Sequence, residues 1–237
     1  MGRIRNSASG KLNMRAKSKQ GKNFRMLKYS VYFFFLVSIV LGFYFVPLMY
    51  VYDYISETTY EALSSIFMEL SFVLIVFSYL FARGMNPNEA IQNLGLSKDK
   101  ISFKNFGIGL LLFGFVLLVE LSIGIFSEAT NIPLPTNVKQ ALNNMPVYFL
   151  IFSFIIAPFT EEILFRGFLV PRLGIILSAI IFAVPHFISY LSISEFVAAF
   201  LFGLAAGYAY KKTGSLYVSI LAHMLVNFLA ILSIFLI

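Results

Sequence analysis

Seven stretches of mostly apolar residues follow one another along the chain, separated by short polar segments. A helix that crosses a bilayer needs about 20 such residues, and the seven stretches have this length or nearly so. They are 29–51, 62–82, 106–126, 147–169, 173–191, 194–210 and 215–236. The pattern predicts an all-α protein, a polytopic transmembrane helical bundle with about seven spans.

The positions of lysine and arginine predict which ends of these helices face the cytoplasm. Nine of the 18 cations lie in residues 1–28, where there is no acidic residue. If this tail is cytoplasmic, so are the segments 83–105 and 211–214 and the turn after residue 169, and Lys139 is the one cation left outside. Cytoplasmic segments of membrane proteins carry an excess of lysine and arginine. The charge distribution therefore predicts a cytoplasmic N-terminus.

The composition of the chain also indicates a membrane protein. Hydrophobic residues make up 59% of the chain and charged residues 12%, whereas about a quarter of the residues of a soluble domain are charged. The run 29–51 is too long for the core of a signal peptide, so we interpret it as a retained anchor. We expect the basic tail before it to contact anionic lipid headgroups and not nucleic acid. The expected location is a cell membrane with several passes, the cytoplasmic membrane of a bacterium.

The polar segments divide the chain into three parts. These are a basic cytoplasmic tail (1–28), a front transmembrane part with three spans (29–145) and a motif-bearing transmembrane core with four spans (146–237). Residues 83–105 are predicted to hold a short amphipathic segment at the inner surface. In the core, Gly203 and Gly207 have the spacing that lets two helices pack closely in a membrane.

Polar side chains inside the predicted spans are the candidates for function, because a charged or strongly polar group in a bilayer is costly. The candidates are Glu69, Glu120, Glu161, Glu162, Arg166, His186, His223 and Asn227. Glu69 and Glu120 each lie within a few turns of the outer surface, so we interpret them as interfacial or structural residues. The other six all lie in the core.

Glu161 and Glu162 stand next to each other in the sequence Glu-Glu-Ile-Leu-Phe-Arg-Gly. Adjacent residues point about 100° apart on a helix, so the two carboxylates cannot form a single clamp. Glu162 and Arg166 are four residues apart with the acid first, which is the favourable order for an ion pair on a helix. This pairing leaves Glu161 as the free carboxylate.

The only two histidines of the chain each lie within a span, and each has a partner four residues away. Phe182 lies on the same helix face as His186, and Pro185 loosens the backbone there. Asn227 lies on the same face as His223, one turn further on. A single histidine in a membrane is as often a packing residue as a functional one, but this shared arrangement indicates a common site.

These residues resemble the motifs of the CPBP family, also called Abi or type II CAAX-protease-like proteins. The matching pieces, in order, are Glu161-Glu162-x-x-Phe165-Arg166-Gly167, Phe182-x-x-x-His186 and His223-x-x-x-Asn227. The resemblance extends from about residue 140 to residue 237. It implies an intramembrane endopeptidase with a cytoplasm-facing cavity that acts on a membrane-associated protein or peptide. The implied roles are activation of water by Glu161 with His186, stabilisation of the oxyanion by His223 and Asn227, and support of the site by Glu162, Arg166 and Phe182.

The residue types present also exclude several classes of protease. The chain has no cysteine, no Gly-x-Ser-x-Gly sequence and no His-Glu-x-x-His sequence, so it lacks a thiol nucleophile and the motifs of serine hydrolases and common zinc proteases. Its two aspartates, Asp53 and Asp99, lie in predicted loops, which excludes an intramembrane aspartyl pair. Water is then the nucleophile, and Glu161 is the best general base.

Three alternatives stay open on the sequence. Glu161, His186 and His223 could hold a zinc ion with an open water position. We prefer a mechanism without metal or other cofactor, because these ligands lie singly on three helices and Asn227 suits a hydrogen-bond donor. The chain could also be a non-catalytic membrane scaffold or a bacteriocin-immunity protein that keeps the same bundle. A transporter is disfavoured, because no paired broken helices are predicted.

Overall fold

The computed structural model describes residues 54–132 and 138–236, and the regular structure within these ranges is helical, with no β-strand. The helices are α1 (Glu57–Ala82), α2 (Pro87–Asn93), α3 (Phe103–Thr130), α4 (Val138–Asn143), α5 (Val147–Leu173), α6 (Ile175–Tyr190), α7 (Ile193–Thr213) and α8 (Tyr217–Phe235). A 3-10 turn lies at Lys98–Lys100 between α2 and α3. The prediction of an all-α fold is confirmed for this part of the chain.

Five of the described helices, α1, α3, α5, α7 and α8, are long and apolar enough to cross a membrane. They coincide with five of the predicted spans. α6 coincides with a sixth, but it has only 16 residues, fewer than the roughly 20 of an ordinary span. The predicted span 29–51 and the basic tail 1–28 lie outside the described residues. The total of about seven spans, the cytoplasmic N-terminus and the three-part division therefore stay predictions.

Serine side chains fix the starts of three helices. Ser56, Ser102 and Ser192 precede α1, α3 and α7, and each accepts a hydrogen bond from the backbone N–H three residues later. Such a cap satisfies one of the N–H groups that have no partner within the helix. At the other end, α7 stops at Gly214, whose φ of 63° is a left-handed conformation that glycine adopts without a steric penalty.

α6 and α7 form an antiparallel pair with close backbone contact. A Cβ atom added to Gly203 would lie 2.9 Å from the Cβ of Ala179, and one added to Gly207 would lie 3.0 Å from Cγ2 of Ile175. Both glycines therefore occupy positions where a side chain would collide with α6. The prediction that their spacing mediates close helix packing is confirmed, and the short helix α6 is held along α7.

Most cations of the described residues lie at one end of the bundle, which we call the cation end. They are Arg83, Lys98, Lys100, Lys104, Arg172, Lys211 and Lys212. The predicted segment 83–105 forms α2 here, and this helix begins with reciprocal hydrogen bonds between Asn86 and Glu89. At the opposite end lie the starts of α1, α5 and α7, the ends of α3, α6 and α8, and the short helix α4.

The chain after α2 is attached to the turn between α7 and α8. The backbone N–H of Leu216 donates to the carbonyl of Gly95 at 3.1 Å, and the hydroxyl of Tyr217 donates to the carbonyl of Leu96 at 2.7 Å. Leu94 packs below this turn and is fully buried. These contacts close the described part of the bundle at the cation end.

Candidate active site

Glu161 and Glu162 lie about halfway along α5 and face different surroundings. Glu162 is fully buried, and its Oε1 accepts a hydrogen bond from Arg166 Nη1 at 2.7 Å and lies 3.1 Å from His223 Nδ1. The predicted ion pair between Glu162 and Arg166 is therefore present. Glu161 Oε2 lies 3.8 Å from the other ring nitrogen of His223, Nε2. This oxygen has no hydrogen-bond partner within the described residues.

The helix widens directly after the two carboxylates. Ile163–Leu169 has π-helical hydrogen bonding, so that the N–H of Val170 donates to the carbonyl of Phe165. The hydroxyl of Ser178 in α6 donates to the same carbonyl at 2.6 Å. Short π-helical segments inside α-helices are rare and occur frequently at functional sites. Nothing in the apolar pattern of the sequence predicted this one.

The guanidinium group of Arg166 is buried between aromatic rings. It lies 4.1 Å from the ring centroid of Phe182 and 4.8 Å from that of Phe202. A cation over an aromatic face is attracted by the ring quadrupole, and the carboxylate of Glu162 balances its charge. Phe182 also packs against the ring of His186, with 4.6 Å between the centroids. Phe182 thus connects Arg166 to the histidine of α6.

The ring of His186 is oriented by its own helix. Nδ1 lies 2.9 Å from the backbone carbonyl of Phe182, and because a carbonyl oxygen only accepts hydrogen bonds, Nδ1 carries a proton. In the neutral ring Nε2 is then an acceptor. Nε2 is therefore free to accept a hydrogen bond from another partner. A water molecule can donate one of its protons to a histidine nitrogen in this state.

Asn227 lies one turn beyond His223 on α8, and its side chain reaches α5. Its Nδ2 donates a hydrogen bond to the backbone carbonyl of Ser153 at 2.8 Å. An amide nitrogen carries two protons, so this bond fixes the direction of the group and leaves one proton for a further acceptor.

The four residues predicted to be catalytic line one cavity of about 580 Å³. They are Glu161 of α5, His186 of α6, and His223 and Asn227 of α8. Phe182 also belongs to the wall, whereas Glu162 and Arg166 are buried behind it. The volume is in the range of ligand-binding pockets, roughly 300–1,000 Å³. Residues from three separate helices, chosen from the sequence by their polarity, thus face one space inside the bundle.

Comparison with known proteins gives a family match for the segment that carries these four residues. Residues 143–229 match the family described as Rce1-like, the type II CAAX prenyl endopeptidase Rce1-like proteins. This segment is similar to the Rce1-like proteins, and we call it the Rce1-like segment. The resemblance to the CPBP family in the motifs is therefore confirmed, and all four predicted catalytic residues fall within the matched segment.

One curated relative of the Rce1-like segment is the uncharacterized protein YpbD of Bacillus subtilis (strain 168). It is 34% identical over an alignment of 94 residues, and the alignment covers 38% of this chain. The match covers 47% of the relative, so the chain spans about half the length of that protein. No solved structure matches the chain significantly. The comparisons thus give a family match for the segment. Its activity has to be inferred from the geometry of the site.

Glu69 of α1 lies outside the Rce1-like segment, yet it lines the same cavity. It is 7% exposed, and its Oε2 accepts a hydrogen bond at 2.6 Å from the hydroxyl of Thr160, the residue before Glu161. Glu69 was interpreted as an interfacial or structural residue, and its burial among the helices agrees with a structural residue and not with an interfacial one. The predicted span began at residue 62, whereas α1 begins at Glu57, so Glu69 lies deeper in the helix than the sequence indicated.

A zinc ion in the Rce1-like segment would need three protein ligands around one point. Glu161, His186 and His223 all line the cavity, but within residues 54–132 and 138–236 no three side chains of the ligand types are grouped closely enough to hold a metal ion. The side chains as arranged in the described residues therefore do not fit the zinc alternative.

Proposed function

We propose that the protein is an intramembrane endopeptidase that hydrolyses a peptide bond of a membrane-associated protein or peptide, with Glu161 as the general base. The observation that carries the proposal is the position of the Glu161 carboxylate. It lies in the wall of an interior cavity, and one of its oxygens has no hydrogen-bond partner within the described part of the chain. A buried carboxyl group with an oxygen that lacks a hydrogen-bond partner is costly inside a membrane protein, which favours a chemical role. The match to Rce1-like proteins supports a protease.

In the first step, a water molecule attacks the carbonyl carbon of the substrate while Glu161 accepts one of its protons. His186 assists because its Nε2 accepts a hydrogen bond from the same water molecule and so orients the attacking oxygen. The step forms a C–O bond and leaves a tetrahedral intermediate with a negatively charged oxygen and a protonated Glu161. A general base of this kind accelerates a reaction by about 10²–10⁴-fold.

His223 and Asn227 stabilise the oxyanion of this intermediate. Asn227 has one amide proton left after its bond to Ser153. His223 donates from Nδ1 to Glu162, and in its protonated form it donates from Nε2 to the oxyanion. Removal of one such donor costs roughly 2.7–4 kcal/mol of transition-state stabilisation in enzymes where it has been tested. Glu162 and Arg166 hold the ring of His223 and are positioning residues.

Collapse of the intermediate breaks the C–N bond. The proton held by Glu161 passes to the leaving nitrogen, which departs as an amine, and Glu161 returns to its starting state. The products are a peptide with a new carboxylate and a peptide with a new amino terminus.

The membrane is the second partner in this proposal. The apolar helices and the family of the segment indicate a multi-pass membrane protein. We assign it to the cytoplasmic membrane of a bacterium, with the basic tail 1–28 on anionic lipid headgroups.

The activity is tested with purified protein in liposomes and a set of membrane-associated peptides, in water enriched in heavy oxygen. We expect cleavage products that carry one heavy oxygen in the new carboxylate, because the nucleophile is water, and we expect the activity to survive a chelator. Loss of activity on chelation and its return with zinc would favour the zinc alternative. If no peptide is cleaved and expression changes no peptide terminus in cell membranes, the scaffold or immunity alternative is favoured.

Glu69 enters the same proposal as a positioning residue for Glu161. Both carboxyl groups line the same cavity, and the hydroxyl of Thr160, the residue before Glu161, donates to Glu69. Two bare carboxylates in one site repel each other, so we propose that Glu69 and Glu161 share one proton. Glu69→Leu removes this partner. We expect it to lower kcat about 10–100-fold with little change in KM, because a hydrogen bond to a charged group is worth about 1.5–3 kcal/mol.

Two further variants make this prediction specific. Glu69→Gln supplies an amide N–H in place of the shared proton and is expected to keep most of the activity. Glu61→Leu makes the same change as Glu69→Leu at an exposed position of α1 and is expected to have no effect on kcat. Equal losses in Glu69→Gln and Glu69→Leu, measured as kcat in the liposome assay, would contradict the positioning role.

A further inference from the structure

The hydroxyl of Ser178 bonds to a different helix from its own. Serines within helices often donate to a carbonyl three or four residues earlier, as Ser71 does to Met68 in α1 at 2.6 Å. Ser178 of α6 instead donates to the carbonyl of Phe165 in α5, also at 2.6 Å. Because Ser178 is 2% exposed, this bond lies inside the bundle. It links α6 to the π-helical segment of α5.

The π-helical segment sets the rotation between two parts of α5. Before it, Oε1 of Glu162 lies 3.1 Å from Nδ1 of His223 in α8. After it, Val170 is buried in the cluster that contains Leu94 and Leu216. A π-helix closes each hydrogen bond one residue later than an α-helix, so α-helical geometry throughout would turn Val170 by about 100° relative to Glu162. The two contacts therefore occur together because the segment is π-helical.

Ser178 lies on the side of α6 that carries Phe182 and His186. The three residues are spaced four apart, so they follow one another along one face of the helix. The ring of Phe182 packs against that of Phe165, with 5.1 Å between the centroids, and against that of His186, with 4.6 Å. A movement of α5 at Phe165 would therefore reach the ring of His186 through Phe182.

We infer that Ser178 is a positioning residue of the proposed active site. Its bond to the carbonyl of Phe165 stabilises the π-helical segment, and the segment in turn holds Glu162 against His223 and Phe165 against Phe182. The inference rests on the proposed function, and it adds to the site a residue that is not part of the cavity wall.

Ser178→Ala removes the hydroxyl and leaves the carbonyl of Phe165 with the N–H of Val170. We expect kcat in the liposome assay to fall about 3–10-fold with little change in KM, the range that follows from the strength of one hydrogen bond. The matched control is Ser71→Ala, which removes a buried hydroxyl whose bond has the same length but stays within one helix. This control is expected to leave kcat unchanged.

A spectroscopic measurement tests the inference without catalysis. The chain has only two histidines, so protein with heavy nitrogen in its histidines gives NMR signals from the rings of His186 and His223, and His223→Gln tells the two apart. We expect Ser178→Ala, in detergent and without substrate, to shift the ring signals of both histidines, and Ser71→Ala to shift neither. Ser178→Cys fills nearly the same space with a weaker donor and is expected to shift the signals in the same direction by less.

Unchanged histidine signals in a folded Ser178→Ala or Ser178→Cys protein would overturn the inference, as would a fall in kcat no larger than that of Ser71→Ala. Either result leaves the proposed function in place, because the unaltered protein still cleaves its peptide. If the signals shift as expected but the unaltered protein cleaves no peptide, the proposed function is refuted, while the link from Ser178 to the two histidines stands.

Discussion

Replacing Glu161 with Gln is expected to lower kcat for peptide hydrolysis by about 10²–10⁴-fold, the usual contribution of a general base. The amide has the shape of the carboxylate but cannot take a proton from water. Because the ion pair with Arg166 belongs to Glu162 and not to Glu161, the exchange does not disturb the buried charges behind the cavity. KM should therefore change much less than kcat, and both are measured in the liposome assay.

Two controls test whether this loss of activity comes from the chemical step and not from a change in the fold. Glu57→Gln makes the same exchange at the exposed start of α1, outside the cavity wall, and is expected to keep full activity. Thermal unfolding of the Glu161→Gln protein in detergent should match that of the unaltered protein. Full activity in a folded Glu161→Gln protein would remove Glu161 as the base and leave His186 Nε2 as the next candidate.

The parts of the site that the sequence predicted are those governed by local geometry and by the cost of polarity in lipid. The pairing of Glu162 with Arg166 follows from their spacing of four residues on one helix, and the structure has this bond at 2.7 Å. His223 and Asn227 were singled out because they are polar groups in an apolar run. For the same reason, the predicted spans agree with the described helices without any knowledge of their contacts.

The parts that the sequence did not predict depend on contacts between helices. Glu69 meets Thr160 across a separation of 91 residues, and no local pattern connects α1 to α5. The bond from Asn227 to the carbonyl of Ser153 spans 74 residues, and it decides which amide proton is left for an oxyanion.

Replacing Arg166 with Met is expected to reduce the free energy of unfolding by about 3–5 kcal/mol, the usual cost of removing one partner of a buried ion pair. Glu162 is fully buried and Arg166 is 1% exposed, so the carboxylate would be left without its cation in a place that water does not reach. His223 Nδ1 contacts the same oxygen of Glu162 as Arg166 does, so we also expect activity to fall. The loss of stability is measured by titration with SDS in mixed micelles.

A second replacement in the same protein shows whether the loss of stability comes from the unpaired charge or from lost packing. Arg166→Met combined with Glu162→Met removes both charges, and because an apolar pair of similar volume is often as stable as a buried ion pair, we expect most of the lost stability to return. Activity should not return, since His223 then has no acceptor for its Nδ1 proton. Arg83→Met, at an exposed position, should cost less than about 1 kcal/mol, as surface charges usually do. If Arg166→Met lowers the free energy of unfolding by no more than Arg83→Met does, the buried Glu162 is not stabilised by its ion pair with Arg166.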